Sequence, residues 1–394
     1  MKVFAREIYP TLEKELYTKE AVVITGMRRV GKTTTLRYLY SLISDTNKVI
    51  FDLENPLHRK IFEEENYDSI WLNLQNYGIS NKTRSYIFID EIQSLPIISS
   101  VVKYLYDHWD VKFFLTGSSS YYLRNFFPES LAGRKLVFEM FPMNFAEFLS
   151  VKGVSKTKTP EFSEKANKKN IVAHQQQLAY YEEYLRFGGF PSVILEPDQK
   201  RKQLLLEEIF TSYFEKDVQN LADFQNLALL RNLILLLIPR IGSKIEVSKL
   251  ANDLSVSRPT IYNYLSFLEQ TYFISLLPKF SPSIDRRTAG TKKLFLCDVG
   301  LANILGQISE GQVFEQSVFQ NLRISHKLTF YNNQSGGEVD FIVDEKTALE
   351  VKTSFSTKDL NLLSIRVRQI KIDNYFLVTK NYNDHPSIIL ATDI

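Results

Sequence analysis

The sequence predicts an α/β protein that begins with a mostly parallel sheet covered by helices. Over residues 1–150, short β-branched and aromatic runs alternate with segments that have the apolar spacing of helices. These runs are almost continuously apolar, as strands buried on both faces should be. With 394 residues, 44% of them hydrophobic, the chain is long enough for two or three domains with packed cores.

Five strands and two long helices account for this first region. The predicted strands are AVVITG, KVIFDLE, SYIFIDE, VKFFLTGSSS and KLVFEMFPM, and the predicted helices are TTTLRYLYSLI and ISSVVKYLYDHW. Residues 151–173 are rich in lysine and nearly free of large apolar groups, so we expect a solvated connection there.

Composition restricts the class of protein. The net charge of +3 neither requires nor excludes a nucleic-acid partner. The longest apolar run, LILLLI, is far shorter than the ~20 residues of a spanning helix, and the first 20 residues resemble no secretory signal, so we expect a cytoplasmic protein without a membrane partner. Cys297 is the only cysteine, which excludes an internal disulfide, and its apolar run LFLC predicts a small buried residue.

GMRRVGKTT, directly after the first predicted strand, matches the Walker A pattern of a phosphate-binding loop. Glycines let successive N–H groups point at phosphates, and the start of the next helix adds positive charge. Lys32 would reach the β and γ phosphates, and the Thr33 hydroxyl would complete the coordination of Mg²⁺. The predicted nucleotide contacts of the loop are Gly26, Gly31, Lys32, Thr33 and Thr34.

Two arginines in the middle of the loop have no fixed role in this pattern. Arg28 and Arg29 would either pair with a carboxylate, contact phosphate or a partner subunit, or remain solvated. The sequence leaves these alternatives open.

SYIFIDEIQ is typical of a Walker B strand, in which an apolar run ends in two acidic residues. Asp90 would hold Mg²⁺, and Glu91 would orient and polarise the attacking water. The next strand ends in TGSSS, where Thr116 or Ser118 would sense the γ-phosphate, with a simple serine-rich turn as the alternative. Arg134 is the candidate for an arginine supplied by a lid or a neighbouring subunit, and a structural salt bridge is its competing role.

Several of these stretches together resemble a known family. They are GMRRVGKTT, YIFIDEIQ, FFLTGSSS, SLAGR, FPMNFAEFL and YLRFGGFPSVI. The chain resembles, over its whole length, the prokaryotic AAA-superfamily ATPases that carry an archaeal-type ATPase domain. The resemblance implies binding and hydrolysis of ATP with Mg²⁺, and a winged helix and a nuclease-like domain of uncharacterised role after the ATPase domain. The domains predicted in this way are 1–150 (P-loop ATPase core), 151–238 (linker and helical lid), 239–285 (winged helix-turn-helix) and 286–394 (restriction-endonuclease-like α/β domain).

The stretch IEVSKLANDLSVSRPTIYNYLSFLEQTYFISLL predicts two helices and a strand of a winged helix. Ser257 would cap the second helix, and Pro259 suits its first turn. The DNA-contact candidates on that helix are Arg258, Thr260, Tyr262 and Asn263. Packing or regulation without DNA is the alternative, because acidic residues dilute the basic patch.

GGEVDFIVDEKTALEVKTS predicts a β-hairpin with functional groups on one face. A three-residue loop, Glu345 to Thr347, would place Asp340 opposite Lys352 with Glu350 on the diagonal. With Glu315 from the preceding helix, the set Glu315, Asp340, Glu350 and Lys352 is similar to the metal site of the PD-(D/E)xK fold, although Val339 stands where a proline is expected. An ordinary charged hairpin is the alternative.

These observations leave three hypotheses. The first is an ATPase coupled to DNA binding or remodelling. The second is an ATP-gated signalling or scaffold switch with a catalytically silent nuclease-like domain. The third is an ATP-regulated endonuclease, and in each case a homo-oligomer is compatible with the sequence.

Overall fold

A sheet of five parallel strands forms the first part of the protein, in the order β2-β3-β4-β1-β5. The computed structural model describes residues 3–118, 133–155, 161–218, 227–281, 290–333 and 336–394. The strands are β1 (Ala21–Thr25), β2 (Lys48–Asp52), β3 (Ser85–Asp90), β4 (Val111–Gly117) and β5 (Lys135–Glu139). The predicted α/β class and parallel sheet are confirmed.

Burial differs between the middle and the edges of this sheet. Every residue of β1, β3 and β4 is buried, as predicted for strands covered on both faces. The expectation is wrong for β2 and β5, which keep partly exposed residues. These two strands are the edges of the sheet, where fewer side chains cover them.

Helices connect the strands at the positions that the apolar spacing predicts. Helix Ile98–His108 turns Ile98, Val101, Val102 and Leu105 into the core beneath β3 and β4, a spacing of three and four residues. The helices of this region are Tyr9–Lys14, Lys32–Leu42, Pro56–Lys60, Tyr67–Asn76 and Ile98–His108, with a 3₁₀ turn at Ile92–Ser94.

The chain divides into two compact units that are not contiguous in sequence. The first consists of Met1–Phe141, Ser212–Asp223 and Gln270–Tyr272, and the second of Pro142–Thr211, Phe224–Glu269 and Phe273–Ile394. The predicted division into four domains stays a prediction, and its boundary between 285 and 286 lies outside the described residues.

The second unit contains a helical region and two sheets. Its larger sheet has the order β12-β11-β10-β9-β8, and β6 pairs antiparallel with β7. The strands are β6 (Ile274–Leu277), β7 (Lys293–Leu296), β8 (Leu328–Asn332), β9 (Glu338–Val343), β10 (Thr347–Lys352), β11 (Asn374–Thr379) and β12 (Ile388–Leu390). Its helices include Phe145–Val151, Phe162–Asn167, Ile171–Phe187, Pro191–Leu195, Leu227–Leu237, Val247–Asp253, Val299–Leu305, Glu310–Leu322 and Thr357–Gln369.

Five further helical segments lie in the described residues. Helices Gln199–Tyr213 and Arg258–Gln270 begin in the second unit and end in the first. A π-helical turn, Phe214–Val218, follows the former, and 3₁₀ turns occupy Ile238–Arg240 and Ala391–Asp393.

Two sequence-based expectations need correction in the second unit. The lysine-rich stretch 151–173 contains the helix Phe162–Asn167, whose Phe162 and Ala166 are buried, because two apolar residues four apart suffice to hold one turn against its neighbours.

The β9–β10 hairpin has the predicted odd loop, but it is Asp344 to Lys346, since Val343 pairs with Thr347. Phe341 therefore pairs with Leu349, and Asp340 lies beside Glu350 rather than opposite Lys352. Asp344 and Glu345 have positive φ values of 51° and 60°, which shows where the chain turns.

Helices able to span a membrane are absent from the described residues, as none combines the necessary length with sufficient hydrophobicity.

Cys297 is buried at the end of β7, as predicted, and burial raises the pKa of its thiol.

A fully buried lysine in β4 makes the stability of the first sheet depend on pH. Lys112 has no exposed surface, and its ammonium donates to the hydroxyl of Thr18, at 3.0 Å, and to the carbonyl of Glu20. Burial lowers the pKa of Lys112 to about 8 from the ordinary 10.5. Between these two pH values the unfolded chain binds more protons than the folded chain, so the free energy of unfolding rises with pH.

We expect the wild-type protein to gain stability relative to Lys112→Met as the pH rises from 8 towards 10, by up to about 3 kcal/mol. Unfolding midpoints of both proteins at pH 7, 8.5 and 10 measure this difference. Lys103→Met, at an exposed position, is the control and should show no such trend. A constant difference between wild type and Lys112→Met across this range would contradict the assignment.

Candidate functional site

The predicted phosphate loop joins the carboxyl end of β1 to the helix Lys32–Leu42. Gly26 and Gly31 have φ values of 151° and 104°, a region that glycine adopts without strain. A Cβ on Gly26 would lie 2.1 Å from the carbonyl oxygen of Met140, so a side chain is sterically excluded there. Thr34 occupies the first turn of the helix, half-buried. The glycines thus permit the backbone path that the Walker pattern requires.

Lys32 is buried in this loop and bound to its carbonyl groups. Its Nζ donates to the carbonyl oxygens of Gly26, at 2.9 Å, and Met27, at 3.0 Å. Burial lowers the pKa of the ammonium, and the carboxylates of Glu91 and Asp217 oppose this effect. The side chain is therefore a desolvated cation, and within the described part of the chain its hydrogen-bond partners are these backbone carbonyls.

Asp90 is the last residue of β3 and Glu91 follows it, at the same edge of the sheet as the phosphate loop. Asp90 is 4% exposed and accepts hydrogen bonds from the hydroxyls of Thr116 and Thr33. Burial raises the pKa of Asp90, and these two hydrogen bonds oppose the increase. Since Thr33 and Asp90 are in contact, the two predicted Mg²⁺ ligands lie together.

Glu91 adopts a left-handed backbone conformation with a φ of 54°. Such a conformation is uncommon for a residue with a side chain and is concentrated at functional sites. The Glu91 N–H donates to the hydroxyl of Thr116 at 3.1 Å, and its carboxylate accepts from the side-chain amide of Gln93. Thr116 therefore connects both acidic residues to β4.

Ser118 lies at the end of β4 and connects two polar side chains. Its hydroxyl accepts from Gln93 Nε2 at 3.0 Å and donates to Asp217 Oδ1 at 2.9 Å. Of the two γ-phosphate sensor candidates, Thr116 contacts the acidic pair and Ser118 contacts Asp217. The predicted residues from β1, β3 and β4 are thus brought together.

Asp217 completes this cluster, and the sequence did not identify it. It lies in the π-helical turn Phe214–Val218, 189 positions after Arg28. Both of its carboxylate oxygens lie 3.1 Å from Arg28 Nε, and its side chain is 2% exposed. Burial raises the pKa of Asp217, whereas Arg28 and Ser118 oppose the increase. Of the alternatives for Arg28, the structure has the one in which it pairs with a carboxylate.

Arg134 lies at the amino end of its strand, whereas this cluster lies at the carboxyl ends of the strands. It directly precedes β5 and pairs with Asp107, with 2.8 Å between Nε and Oδ1. Because β5 runs parallel to β1, the beginning of β5 is one strand length from the carboxyl ends that carry the phosphate loop. Within one chain, Arg134 is therefore separated from Lys32 and Glu91.

The helix-turn-helix candidates lie on the described helix Arg258–Gln270. The Thr260 N–H donates to the Ser257 hydroxyl at 3.3 Å, which is the predicted cap. Arg258 and Asn263 are exposed, Tyr262 is 60% exposed, and Thr260 is half-buried. The opposite face buries Ile261, Leu265 and Leu268.

The C-terminal candidates are also brought together, around a lysine that the sequence did not identify. Lys293 Nζ lies 2.6 Å from Glu315 Oε1, 2.8 Å from Glu338 Oε1 and 3.3 Å from Asp340 Oδ1. On the neighbouring strand, Glu350 Oε1 lies 2.9 Å from Lys352 and 3.3 Å from Arg366. Burial and the nearby Asp340 raise the pKa of Glu315 to about 8 and that of Glu350 to about 7. We call these residues the carboxylate cluster.

Comparison with known proteins shows that Lys32, Asp90 and Glu91 lie in a region that matches a known domain family. Residues 18–149 match the AAA domain family, and residues 178–312 match a domain of unknown function, DUF8612. An uncharacterized protein of Methanocaldococcus jannaschii, MJ1544, is 31% identical over 96% of this chain and 86% of its own length. An uncharacterized protein of Haemophilus influenzae is 26% identical over 93% of this chain and 90% of its own length.

Solved structures give weaker matches. The Aeropyrum pernix ORC1 protein in complex with DNA has a TM-score of 0.32 and 14% identity, over 77% of this chain and 92% of that one. AMPPCP-bound DnaA from Aquifex aeolicus has a TM-score of 0.29 and 13% identity, over 67% of this chain and 87% of that one.

The Thr116 hydroxyl should contribute measurably to the stability of the site. Thr116→Val keeps the shape of the side chain but removes the donor to Asp90 and the acceptor of the Glu91 N–H. We expect a loss of about 1–3 kcal/mol in the free energy of unfolding, because buried polar groups lose their partners. Denaturant unfolding measures it.

Thr25→Val is the matched control, at the end of the adjacent strand β1. The Thr25 hydroxyl is also buried, but it has no hydrogen-bond partner among the described residues. Its removal should leave stability unchanged or raise it slightly. Equal losses in the two variants would refute a specific role for Thr116.

Proposed function

Because this chain belongs to the same family as the Methanocaldococcus jannaschii protein MJ1544 and carries an AAA domain, we propose that it binds ATP with Mg²⁺ and hydrolyses it. The observation that carries this proposal is the convergence of Lys32, Asp90 and Glu91 at one edge of the sheet, next to a loop in which Gly26 has no room for a side chain.

Lys32 would bind the β and γ phosphates of ATP. The phosphates would replace the carbonyl oxygens of Gly26 and Met27 as partners of its ammonium, and an ammonium–phosphate contact is stronger than one to a neutral carbonyl. N–H groups at the start of helix Lys32–Leu42 would bind the same phosphates.

Thr33 and Asp90 fit a Mg²⁺ site, since a hydroxyl and a carboxylate oxygen are the hard ligands that this ion takes. When bound, Mg²⁺ would neutralise charge on the β and γ phosphates. Burial also destabilises Asp90 as an anion, so a cation would offset that cost.

Glu91 would orient and polarise the attacking water. Gln93 holds its carboxylate, and Gln93 in turn contacts Ser118, which contacts Asp217. This chain of hydrogen bonds connects the proposed base to Arg28 in the phosphate loop, and Ser118 is our candidate for sensing the γ-phosphate. Arg134 would reach a nucleotide only across an interface between two copies of the chain, so the homo-oligomer remains a prediction.

We expect Lys32→Ala to weaken ATP binding by roughly 10- to 100-fold, because it removes one charge-assisted contact. Glu91→Gln should keep ATP binding and lower the hydrolysis rate by roughly 100- to 10,000-fold. Fluorescent-nucleotide titration and phosphate release measure the two effects. Lys103→Ala, in the same unit and exposed, is the control for both. Unchanged affinity in Lys32→Ala would reject the phosphate-loop assignment.

A second activity, contact with DNA, is supported by the exposed face of helix Arg258–Gln270. Arg258, Tyr262 and Asn263 share this face, and Lys249 is exposed on the preceding helix, Val247–Asp253. We propose that these side chains bind DNA and that ATP hydrolysis in the first unit is coupled to this binding.

DNA affinity should fall steeply with salt, and Arg258→Ala should weaken binding and reduce the slope of log affinity against log salt by about 1. Fluorescence anisotropy with a labelled duplex between 50 and 200 mM salt, roughly the range over which such contacts weaken, provides the measurement. Lys200→Ala removes an exposed charge from another helix of the second unit and should leave the slope unchanged. A flat salt response would favour the scaffold switch over DNA binding.

A further inference from the structure

The sequence of the carboxylate cluster resembles that of a metal site. Lysine and arginine side chains, however, supply the positive charge that a metal ion would bring. Four carboxylates belong to it, those of Glu315, Glu338, Asp340 and Glu350. Ion pairs connect them to four cations, which are Lys244, Lys293, Lys352 and Arg366. Each carboxylate therefore already faces a cation of the protein, which offsets the negative charge that would attract a divalent ion.

Lys293 occupies the centre of the cluster. Its side chain is 1% exposed, and its ammonium lies within 3.3 Å of carboxylates from helix Glu310–Leu322 and from strand β9. An ammonium has three N–H donors and no acceptor, and three carboxylates surround this one at ion-pair distances. If the side chain moved aside, a buried cation would lose all three partners.

The oxygens that a metal would need are largely engaged. Asp340 Oδ1 faces Lys293, and Asp340 Oδ2 accepts from the Val351 N–H at 2.8 Å. Glu350 Oε1 faces Lys352 and Arg366. Two further oxygens, Glu315 Oε1 and Glu350 Oε2, are buried without a hydrogen bond among the described residues, and the first of them lies 2.6 Å from Lys293 Nζ. Two such oxygens do not make the octahedral set that Mg²⁺ requires.

An ion bound to Glu315 and Asp340 would also lie against the ammonium. Mg²⁺ approaches its oxygen ligands to about 2.1 Å, and Lys293 Nζ lies 2.6 Å from Glu315 and 3.3 Å from Asp340. Two cations that share these oxygens would repel one another in a site with little solvent to screen them. The residues of the PD-(D/E)xK pattern therefore do not fit a metal in this chain.

We infer that Lys293 is the resident counter-ion of the carboxylate cluster and that it takes the place of the divalent cation expected from the sequence pattern. The cluster then acts as a structural junction that connects β7, β9 and the helix Glu310–Leu322. This inference concerns the second unit alone and holds whether or not the first unit hydrolyses ATP.

Mn²⁺ binding in the absence of nucleotide tests the inference, with free Mn²⁺ counted by electron paramagnetic resonance. Wild type and Asp340→Asn should bind the same number of ions, because the cluster holds none. Lys293→Met should gain one ion per chain, and the double variant Lys293→Met with Asp340→Asn should lose it again. Lys292→Met, at the neighbouring half-buried lysine, is the control and should gain nothing.

Two results would overturn the inference. One is the loss of a Mn²⁺ ion when wild type is changed to Asp340→Asn, and the other is a folded Lys293→Met that gains no ion. Circular dichroism establishes whether Lys293→Met is folded. If it is not, Lys293→Gln, which retains hydrogen-bond donors, takes its place, and the comparison of wild type with Asp340→Asn is decisive without either variant.

Discussion

Three parallel strands that end at one edge of a sheet determine where the polar groups of the proposed nucleotide site lie. In a parallel sheet every carboxyl end points the same way, so the residues after β1, β3 and β4 meet although they are far apart in sequence. The hydroxyl of Thr116 then connects Asp90 and Glu91, and each of these contacts depends on the register of β3 against β4. A shift of that register by one residue would turn Asp90 or Thr116 to the opposite face of the sheet.

Each unit contains a buried charge that is paired with opposite charges. In the first unit Asp217 meets Arg28, and in the second Lys293 meets three carboxylates. An unpaired charge in such surroundings would cost several kcal/mol, whereas a pair with good hydrogen bonds approximately offsets its own desolvation. Such pairs fix geometry more than they add stability, which suits a loop that must present its amides in one arrangement.

Local patterns predicted the parallel sheet of the first unit, and they also identified part of the proposed site. The apolar runs specified the strands, and the Walker spacing identified Gly26, Lys32 and Asp90, because strand, loop and helix follow one another directly in the chain. Nothing local could identify Asp217 or Lys293, since their partners are distant in sequence and the residues around them match no pattern. The predicted hairpin register was wrong by one residue on each strand. The loop Asp344 to Lys346 contains no glycine or proline that would mark its position in the sequence.

The first unit is assembled from pieces that are far apart along the chain. Its main body ends at Phe141, but it also includes Ser212–Asp223, which carries Asp217, and Gln270–Tyr272. On the ribosome, residues up to Phe141 would emerge well before the segment that carries Asp217 has been translated. Arg28 could meet Glu54 early, but it would acquire its buried partner Asp217 only after about half of the polypeptide has been synthesised. A chain that terminated prematurely in the lysine-rich region could not complete the site.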